Sequence, residues 1–375
     1  MKLGRIRKKY YTYIRKIIIN KKMKIALVNP PWPGTGIGTR SQNRIIKKRA
    51  DMYLQYPLMM GYSCSRYKNA GHEVVYIDAV LDGLDYDSTT EKIKEFGADV
   101  VFMETVTPSI NHDYKYVNDL KGKLGVKVVM TGPHVSHFGD EALKECKGID
   151  AIIKNDFDTR CLEVVENLGN KEELEKIQGI SFRIGEGTFD TGKKYFMPDL
   201  DILPYPDRET IPFERYGEAY YNKLPFTNIL TTRGCPNNCT YCITANIMEG
   251  VVWRERSMEN VIGEIRELVD KYGVKELNID DATFNYSRER LMKFCQAMID
   301  EKFNLLWTCN ARVKPIDEEL LKMMRKAGCK LIRYGVESAD DKVLAYMNKN
   351  IITDEVRRAF KLTRKAGILA LGGFM

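Results

Sequence analysis

Thr231-Thr-Arg-Gly-Cys-Pro-Asn-Asn-Cys-Thr-Tyr-Cys-Ile243 follows an apolar, strand-like run from Phe226 to Leu230 and sets Cys235, Cys239 and Cys242 on one short loop in a C-x3-C-x2-C spacing. Three thiolates this close are a metal site. A structural zinc closes its tetrahedron with four protein ligands, and no fourth Cys or His stands within about 15 to 20 residues of the trio in the usual spacing. Spacing alone leaves open a zinc knuckle completed by the distant Cys295, or thiols that are simply core. An iron-sulfur cluster held by three thiolates differs from both, because one iron stays open to bind another molecule.

The 375 residues allow two or three domains with substantial cores. A formal charge of +8 invites a nucleic-acid reading until the charge is located. Residues 1–24 carry ten Lys and Arg and no acid, which leaves 49 basic against 51 acidic residues elsewhere. The body therefore has no basic bias, and no nucleic-acid partner is expected. The basic extension, residues 1–22, is too charged for a signal peptide, and its apolar run is too short for a membrane span. Two readings of it stay open: a helix touching anionic lipid, or a translation start at Met23. Nine cysteines, an odd number, without a secretory signal argue for a reducing cytoplasm.

Residues 23–168 alternate short β-branched apolar runs with amphipathic stretches. Strands are expected at Lys24–Val28, Val74–Ile77, Val100–Met103, Val126–Met130 and Ala151–Ile153. Helices are expected at Leu58–Asn69, Ser88–Phe96, Asp113–Leu124 and Glu141–Cys146. The pattern implies a doubly wound parallel sheet, which binds ligands at the carboxyl ends of its strands. The loops there, Asn29–Gly34, Glu104–Ser109 and Thr131–Ser136, are rich in Pro, Gly and small polar residues and suit close backbone approach to a bulky ligand. No G-x-G-x-x-G follows a strand, so a dinucleotide fingerprint is missing.

Residues 169–224 read as a connector with a hairpin around Gly185-Glu-Gly187, and with aromatic Tyr205, Phe213, Tyr216, Tyr220 and Tyr221 to pack at the junction. Residues 225–375 resume the strand-helix beat. Strands are expected at Lys275–Asp280, Leu305–Asn310, Lys330–Val336 and Ile368–Met375, with helices starting at Ser257, Ser287, Asp317, Asp340 and Thr353. The chain stops at Gly372-Gly-Phe-Met375 inside the last of these strands, the fifth when the run Phe226 to Leu230 is counted as the first, so a longer protein with a sixth strand is expected.

The cysteine loop, with Arg-Gly-Cys-Pro at its front and Tyr241 before its last cysteine, resembles the radical S-adenosylmethionine (SAM) superfamily. Asn-Pro-Pro-Trp-Pro, then Gly71-His-Glu-Val-Val-Tyr-Ile-Asp78, Thr131-Gly-Pro-His134 and Gly148-Ile-Asp-Ala-Ile-Ile153, in that order ahead of the cysteines, look like the cobalamin-binding domain found before many such enzymes. The resemblance implies a Rossmann-like cobalamin-binding domain followed by a truncated partial (β/α)6 barrel. Its cofactors would be a [4Fe-4S] cluster on Cys235, Cys239 and Cys242, SAM, and cobalamin. It implies SAM contacts from Tyr241, Asp280, Asp281, Asn310, Arg312 and Glu337, at strand carboxyl ends where such barrels place their chemistry. It places cobalamin against Thr105, Pro108, Ser109, Thr131, Gly132, Pro133 and His134. The D-x-H-x-x-G motif that gives a histidine to cobalt is absent, so cobalamin held without that ligand is implied. After Ile153 the family's Gly-Glu-x-Glu-like turn is replaced by Lys154-Asn-Asp-Phe-Asp158.

The activity implied is SAM cleavage and methylation of an unactivated carbon, with an external one-electron donor such as flavodoxin or ferredoxin. The substrate would be a small molecule, lipid or peptide. Cyclisation, oxidation, methylthiolation and a non-catalytic metal-binding module are the alternatives.

Overall fold

A computed structural model describes residues 22–34, 38, 40, 54–192 and 194–375. The basic extension before residue 22 lies outside the described residues. The first sheet has seven strands in the order β2-β1-β3-β4-β5-β6-β7. They are β1 Lys24–Asn29, β2 Glu73–Asp78, β3 Val100–Glu104, β4 Lys127–Thr131, β5 Ala151–Ile153, β6 Ile180–Ile184 and β7 Gly187–Asp190. Pairing is parallel through β5 and antiparallel for the hairpin that follows. The hairpin expected in the connector is thus built onto the edge of the first sheet. Its Phe182 faces Ala151 across the ladder, and Phe182 and Phe189 pack with ring centroids 5.3 Å apart.

The central strands are apolar on both sides because both faces are covered. Ile25 and Leu27 enter the core that runs on into the second domain, whereas Ala26 and Val28 enter a separate core on the opposite face. Four main helices cover the sheet: α1 Leu58–Asn69, α2 Tyr86–Phe96, α3 Ile110–Leu124 and α4 Pro133–Glu145. The last departs from expectation. The stretch Thr131–Ser136 is expected to be a loop with a helix only from Glu141, but Gly132 alone makes the turn (φ 108°) and the helix starts at Pro133. Proline is suited to a first helical position, where no N–H is required and φ is already helical. The helix kinks at Gly139.

The second sheet is five parallel strands, β14-β13-β12-β11-β8, comprising β8 Phe226–Ile229, β11 Glu276–Ile279, β12 Leu306–Ala311, β13 Cys329–Glu337 and β14 Leu369–Phe374. A short antiparallel pair, β9 Thr232–Arg233 with β10 Arg254–Glu255, lies between β8 and β11 in sequence. Helices Met258–Asp270, Arg288–Asp300, Glu318–Lys326 and Thr353–Lys365 link the strands, the first three opened by Ser257, Ser287 and Asp317, whose side chains accept the N–H three residues on. At the outer edge, Leu369, Leu371 and Phe374 of β14 are exposed.

Connector residues join the two units. The Phe213 ring meets Tyr272 at 5.6 Å, and Tyr216 meets Tyr56 at 5.8 Å. The Tyr205 hydroxyl donates to the Asn260 carbonyl at 3.0 Å. Among the described residues, no helix is long and apolar enough to cross a membrane.

Candidate functional site

The cysteine loop is shaped by contacts from every side. Gly234 turns the chain at φ 80°, and a Cβ there would sit 2.1 Å from the Val252 carbonyl oxygen, so no larger residue fits. The Gly234 N–H donates to Glu249 Oε2 at 2.8 Å, and the Cys235 N–H to the Gly250 carbonyl at 3.1 Å. Asn246 Nδ2 donates to the carbonyls of Cys239 and Cys242 at 3.0 and 2.8 Å. From the far side of the barrel, the Met347 carbonyl accepts from the Thr240 N–H at 3.1 Å, and Asn348 Nδ2 donates to the Asn238 carbonyl at 2.7 Å.

Cys235 and Cys239 are buried and Cys242 half-buried. Burial pushes the Cys242 thiol up, and the nearby Cys235 and Cys239 push the same way. The Cys235 sulfur lies 3.1 Å from Thr283 Oγ1 and 3.3 Å from Asn237 Nδ2, polar groups of the kind that tune a cluster's sulfurs. Among the described residues, no three His, Cys, Asp or Glu side chains converge tightly enough for a single metal ion. Cys295, the fourth ligand of a zinc knuckle, is fully buried on the helix Arg288–Asp300, where its thiol interacts with Cys309 and not with the three cysteines of the loop. Three gathered thiols without a fourth ligand fit a cluster with one open iron. Cys64, Cys146 and Cys161 are also core residues, their thiols pushed up by burial to about 12, 11 and 12.

Of the residues expected at SAM, Asp281 is turned elsewhere. It is fully buried and accepts from the Thr231 N–H (2.7 Å), Thr231 Oγ1 (2.6 Å) and Thr232 Oγ1 (2.7 Å), so it braces the strand that delivers the cysteines. Asp281→Ala would orphan three buried donors, each worth about 1–3 kcal/mol. A loss of about 3 kcal/mol or more is expected in denaturant unfolding, with reduced iron incorporation in the same preparation. Asp280, at the end of β11, is 5% exposed, with Asn278 Nδ2 3.4 Å from its Oδ1. Asn310 Nδ2 donates to the Asp281 carbonyl at 3.1 Å. The Arg312 N–H donates to Asn285 Oδ1 at 2.9 Å, and its guanidinium reaches the Lys349 carbonyl. Glu337, at φ 69°, ends β13.

Sequence reasoning missed Lys349. Its ammonium donates to Glu337 Oε1 at 2.8 Å and to the Tyr241 hydroxyl at 3.1 Å, with 7% of the side chain exposed. Burial, then Glu337, pushes the Tyr241 phenol up. The signal available was a lysine in Met347-Asn-Lys-Asn350 just before a helix start, which is weak without knowledge of what packs beside it. Tyr241, Glu337 and Lys349 thus form one cluster, and the residue between Cys239 and Cys242 that carries an aromatic ring is tied to the barrel wall.

At the first sheet, several expected cobalamin contacts point inward. Thr105 and Ser109 are completely buried, and both hydroxyls donate to Asp113 Oδ2 at 2.6 Å. Asp113 is paired with buried Arg40, whose Nη2 donates to Oδ1 at 2.7 Å and whose Nη1 donates to the Pro30 carbonyl at 2.7 Å. This pair ties the segment after β1 to the first turn of α3. Thr131 Oγ1 donates to the Ile153 carbonyl at 2.9 Å. The side chains of Thr105, Ser109 and Thr131 therefore shape the crevice from behind rather than facing a ligand. Pro108 is exposed and Gly132 and Pro133 are buried. His134 is half-buried, its Nδ1 3.1 Å from Thr107 Oγ1, and burial lowers its pKa.

The carboxyl ends of the two sheets open onto one cavity, lined by Glu104 at the end of β3, Asn155 after β5 and Asp280 at the end of β11, with Leu58, Phe157 and Met248 as apolar walls. In parallel sheets the carboxyl ends of the strands are the ligand-binding positions. The space between them is small, about 30 Å³, room for about one water, so the pocket marks where the two carboxyl ends meet.

Fold and site define a class: a radical SAM barrel behind a cobalamin-type α/β domain. The Radical SAM superfamily model matches residues 229–375, and the B12 binding domain model matches residues 56–165. An uncharacterized methyltransferase of Pyrococcus horikoshii is 30% identical over 95% of this chain and 74% of its own length. The anaerobic magnesium-protoporphyrin IX monomethyl ester cyclase of Cereibacter sphaeroides is 28% identical over 85% of this chain and 53% of that protein. The chain thus spans about three-quarters of the first and about half of the second. Among solved structures, the fold is similar to that of the radical SAM methyltransferase TsrM from Kitasatospora setae with cobalamin and a [4Fe-4S] cluster bound. There the TM-score is 0.73 at 16% identity, over 94% of this chain and 69% of the other. OxsB with aqua-cobalamin and SAM gives a TM-score of 0.73 at 17% identity, over 97% and 50%. The chain belongs to the cobalamin-binding radical SAM enzymes, the family whose cofactors are a [4Fe-4S] cluster, SAM and cobalamin.

Proposed function

We propose that this protein is a cobalamin-dependent radical SAM methyltransferase acting on an unactivated carbon of a small-molecule substrate. The observation that carries this is the shared cavity between Glu104 and Asp280, where the ligand ends of two domains face each other. Cys235, Cys239 and Cys242 would hold the cluster. Tyr241, Asp280, Asn310, Arg312, Glu337 and Lys349 would receive SAM, with the cations of Lys349 and Arg312 suited to its carboxylate. Pro108, Gly132, Pro133 and His134 would border the cobalamin crevice, with His134 Nδ1 in contact with Thr107 Oγ1. Bound there, the cluster and SAM supply the radical that takes hydrogen from the substrate, and cobalamin supplies the methyl group. The chain's part is to orient these groups and to exclude water with walls such as Leu58, Phe157 and Met248.

An external electron donor of the flavodoxin or ferredoxin kind, and a reducing cytoplasm, belong to the same proposal. So do lipid or peptide as further substrate classes. The 28% identity to a ring-forming cyclase favours one second reading, radical cyclisation without methyl transfer.

Anaerobic protein loaded with iron and hydroxocobalamin, reduced and given SAM, tests both. Formation of S-adenosylhomocysteine together with 5'-deoxyadenosine supports methyl transfer. 5'-Deoxyadenosine alone favours the cyclase reading, and the absence of both products rules out the enzyme. Lys349→Met should weaken SAM binding about ten- to hundredfold, the loss of one charge-assisted contact of about 1.5–3 kcal/mol. Equilibrium dialysis against labelled SAM reads this, and Lys349→Arg should retain most of the affinity.

A further inference from the structure

Lys154-Asn-Asp-Phe-Asp158 leaves the carboxyl end of β5, in the ligand crevice of the first sheet, and its three polar side chains other than Lys154 all cross to the second domain. Asp158 takes both guanidinium nitrogens of Arg233, at 2.9 and 2.7 Å. Arg233 stands two residues before Cys235. Asp156 pairs with Arg254, whose Nη2 also donates to the Glu249 carbonyl at 2.8 Å. The Glu249 side chain in turn holds the Gly234 N–H at 2.8 Å. Asn155 Nδ2 donates to the Ile247 carbonyl, in the π-helical turn Thr244–Met248 that follows Cys242. The cysteine loop is therefore gripped before and after its thiols by one five-residue segment of the cobalamin domain.

Two features go beyond simple adhesion. Both ion pairs are buried, with side-chain exposures of 2% and 0% for Arg233 and Asp158 and of 4% and 0% for Arg254 and Asp156. Buried pairs hold parts together no better than apolar packing does. What a two-pronged guanidinium-carboxylate contact adds is orientation. Secondly, Asn155 is 3% exposed, lines the shared cavity, and its Oδ1 finds no hydrogen-bond donor among the described residues. Burying an amide oxygen without a donor is costly, so it stands ready for a donor on a ligand.

We propose that residues 154–158 couple the two cofactor sites: Asn155 Oδ1 accepts an N–H from the carboxamide rim of cobalamin, and Asp158, through Arg233, positions the cysteine loop in response. This rests on the cobalamin reading above. Coupling is reciprocal by thermodynamic necessity, so a cluster in place must tighten cobalamin binding by the factor by which cobalamin steadies the cluster. Asp158 and Arg233 are positioning residues here; Asn155 is the ligand contact.

The test is the dissociation constant of hydroxocobalamin, read by absorbance on the full chain with its cluster and after chelator stripping. Wild type should bind about 5- to 50-fold tighter with the cluster present. In Asp158→Asn the ratio should fall to near one. Arg233→Lys, which keeps the charge but loses the fork, should fall likewise and serves if the first variant does not fold. Asn155→Gly, which tolerates the φ of 61° at this position, should weaken binding about tenfold in the cluster-loaded form. Equal wild-type affinities in the two forms, or a ratio that survives both Asp158→Asn and Arg233→Lys, overturns the coupling. No hydroxocobalamin binding in either form overturns the functional reading beneath it as well.

Discussion

Cys239→Ala should leave a folded protein that cannot keep its cluster. Iron analysis should fall from about four per chain to below one after anaerobic reconstitution and desalting, since three thiolates are the minimum that leaves a single open iron. 5'-Deoxyadenosine formation should drop by at least about 10³-fold, because no other side chain on the loop replaces a thiolate. Folding should be nearly unaffected in the same sample: Cys239 is held mainly through its backbone, its carbonyl accepting from Asn246 Nδ2. Far-ultraviolet dichroism and the unfolding midpoint separate loss of metal from loss of structure. Full retention of four irons by the alanine variant would remove Cys239 from the ligand set.

Gly132→Ala should have the largest effect in the first domain. Gly132 adopts φ 108°, a region closed to side chains, and a Cβ would stand 2.1 Å from the Thr105 carbonyl oxygen and 3.0 Å from its nitrogen. The obstacle is backbone of the neighbouring strand end, so nothing flexible can move aside. Strain and overlap together should cost about 3 kcal/mol or more, a fall of about 10 °C in Tm for a domain of this size. Retention of hydroxocobalamin on gel filtration should fall with it. Gly125→Ala provides the contrast: its φ is 64°, but nothing lies within 4 Å of the added carbon, so it should cost only about 1–2 kcal/mol. Similar losses in the two variants would mean that the approach to Thr105 does not matter.

The cysteine trio could be found in the sequence because its signal is local: eight residues hold the spacing, and no partner from elsewhere is needed to recognise it. The strand beat was legible for a related reason. Val100–Glu104 and Lys127–Thr131 are buried on both faces, and that burial writes itself as an unbroken apolar run. Direction was harder to read than identity. Asp281, Thr105 and Ser109 stand at strand ends where ligands bind, yet their side chains are drawn inward by Thr231 and Thr232 in one case and by Asp113 in the others. Which way a polar side chain turns depends on partners far off in sequence. Lys349 and Arg40 were missed on the same ground, as single cations that acquire meaning only when Glu337 with Tyr241, and Asp113, come to meet them. The start of α4 at Pro133 was obscured by a Gly-Pro pair that reads as a turn, although proline is at home in a helix's first position.

The cysteine loop borrows its shape from opposite ends of the chain. Arg233 is fixed by Asp158, 75 residues earlier, and Asn238 by Asn348, 110 residues later. Contacts of such separation form late, since the entropy of closing long loops must be met before they contribute. During synthesis the three thiols emerge on a segment that has its upstream support but not its downstream one. Until the turn after the fourth barrel strand has been made, the loop lacks the contacts that Asn348 and the Met347 carbonyl give it in the folded chain.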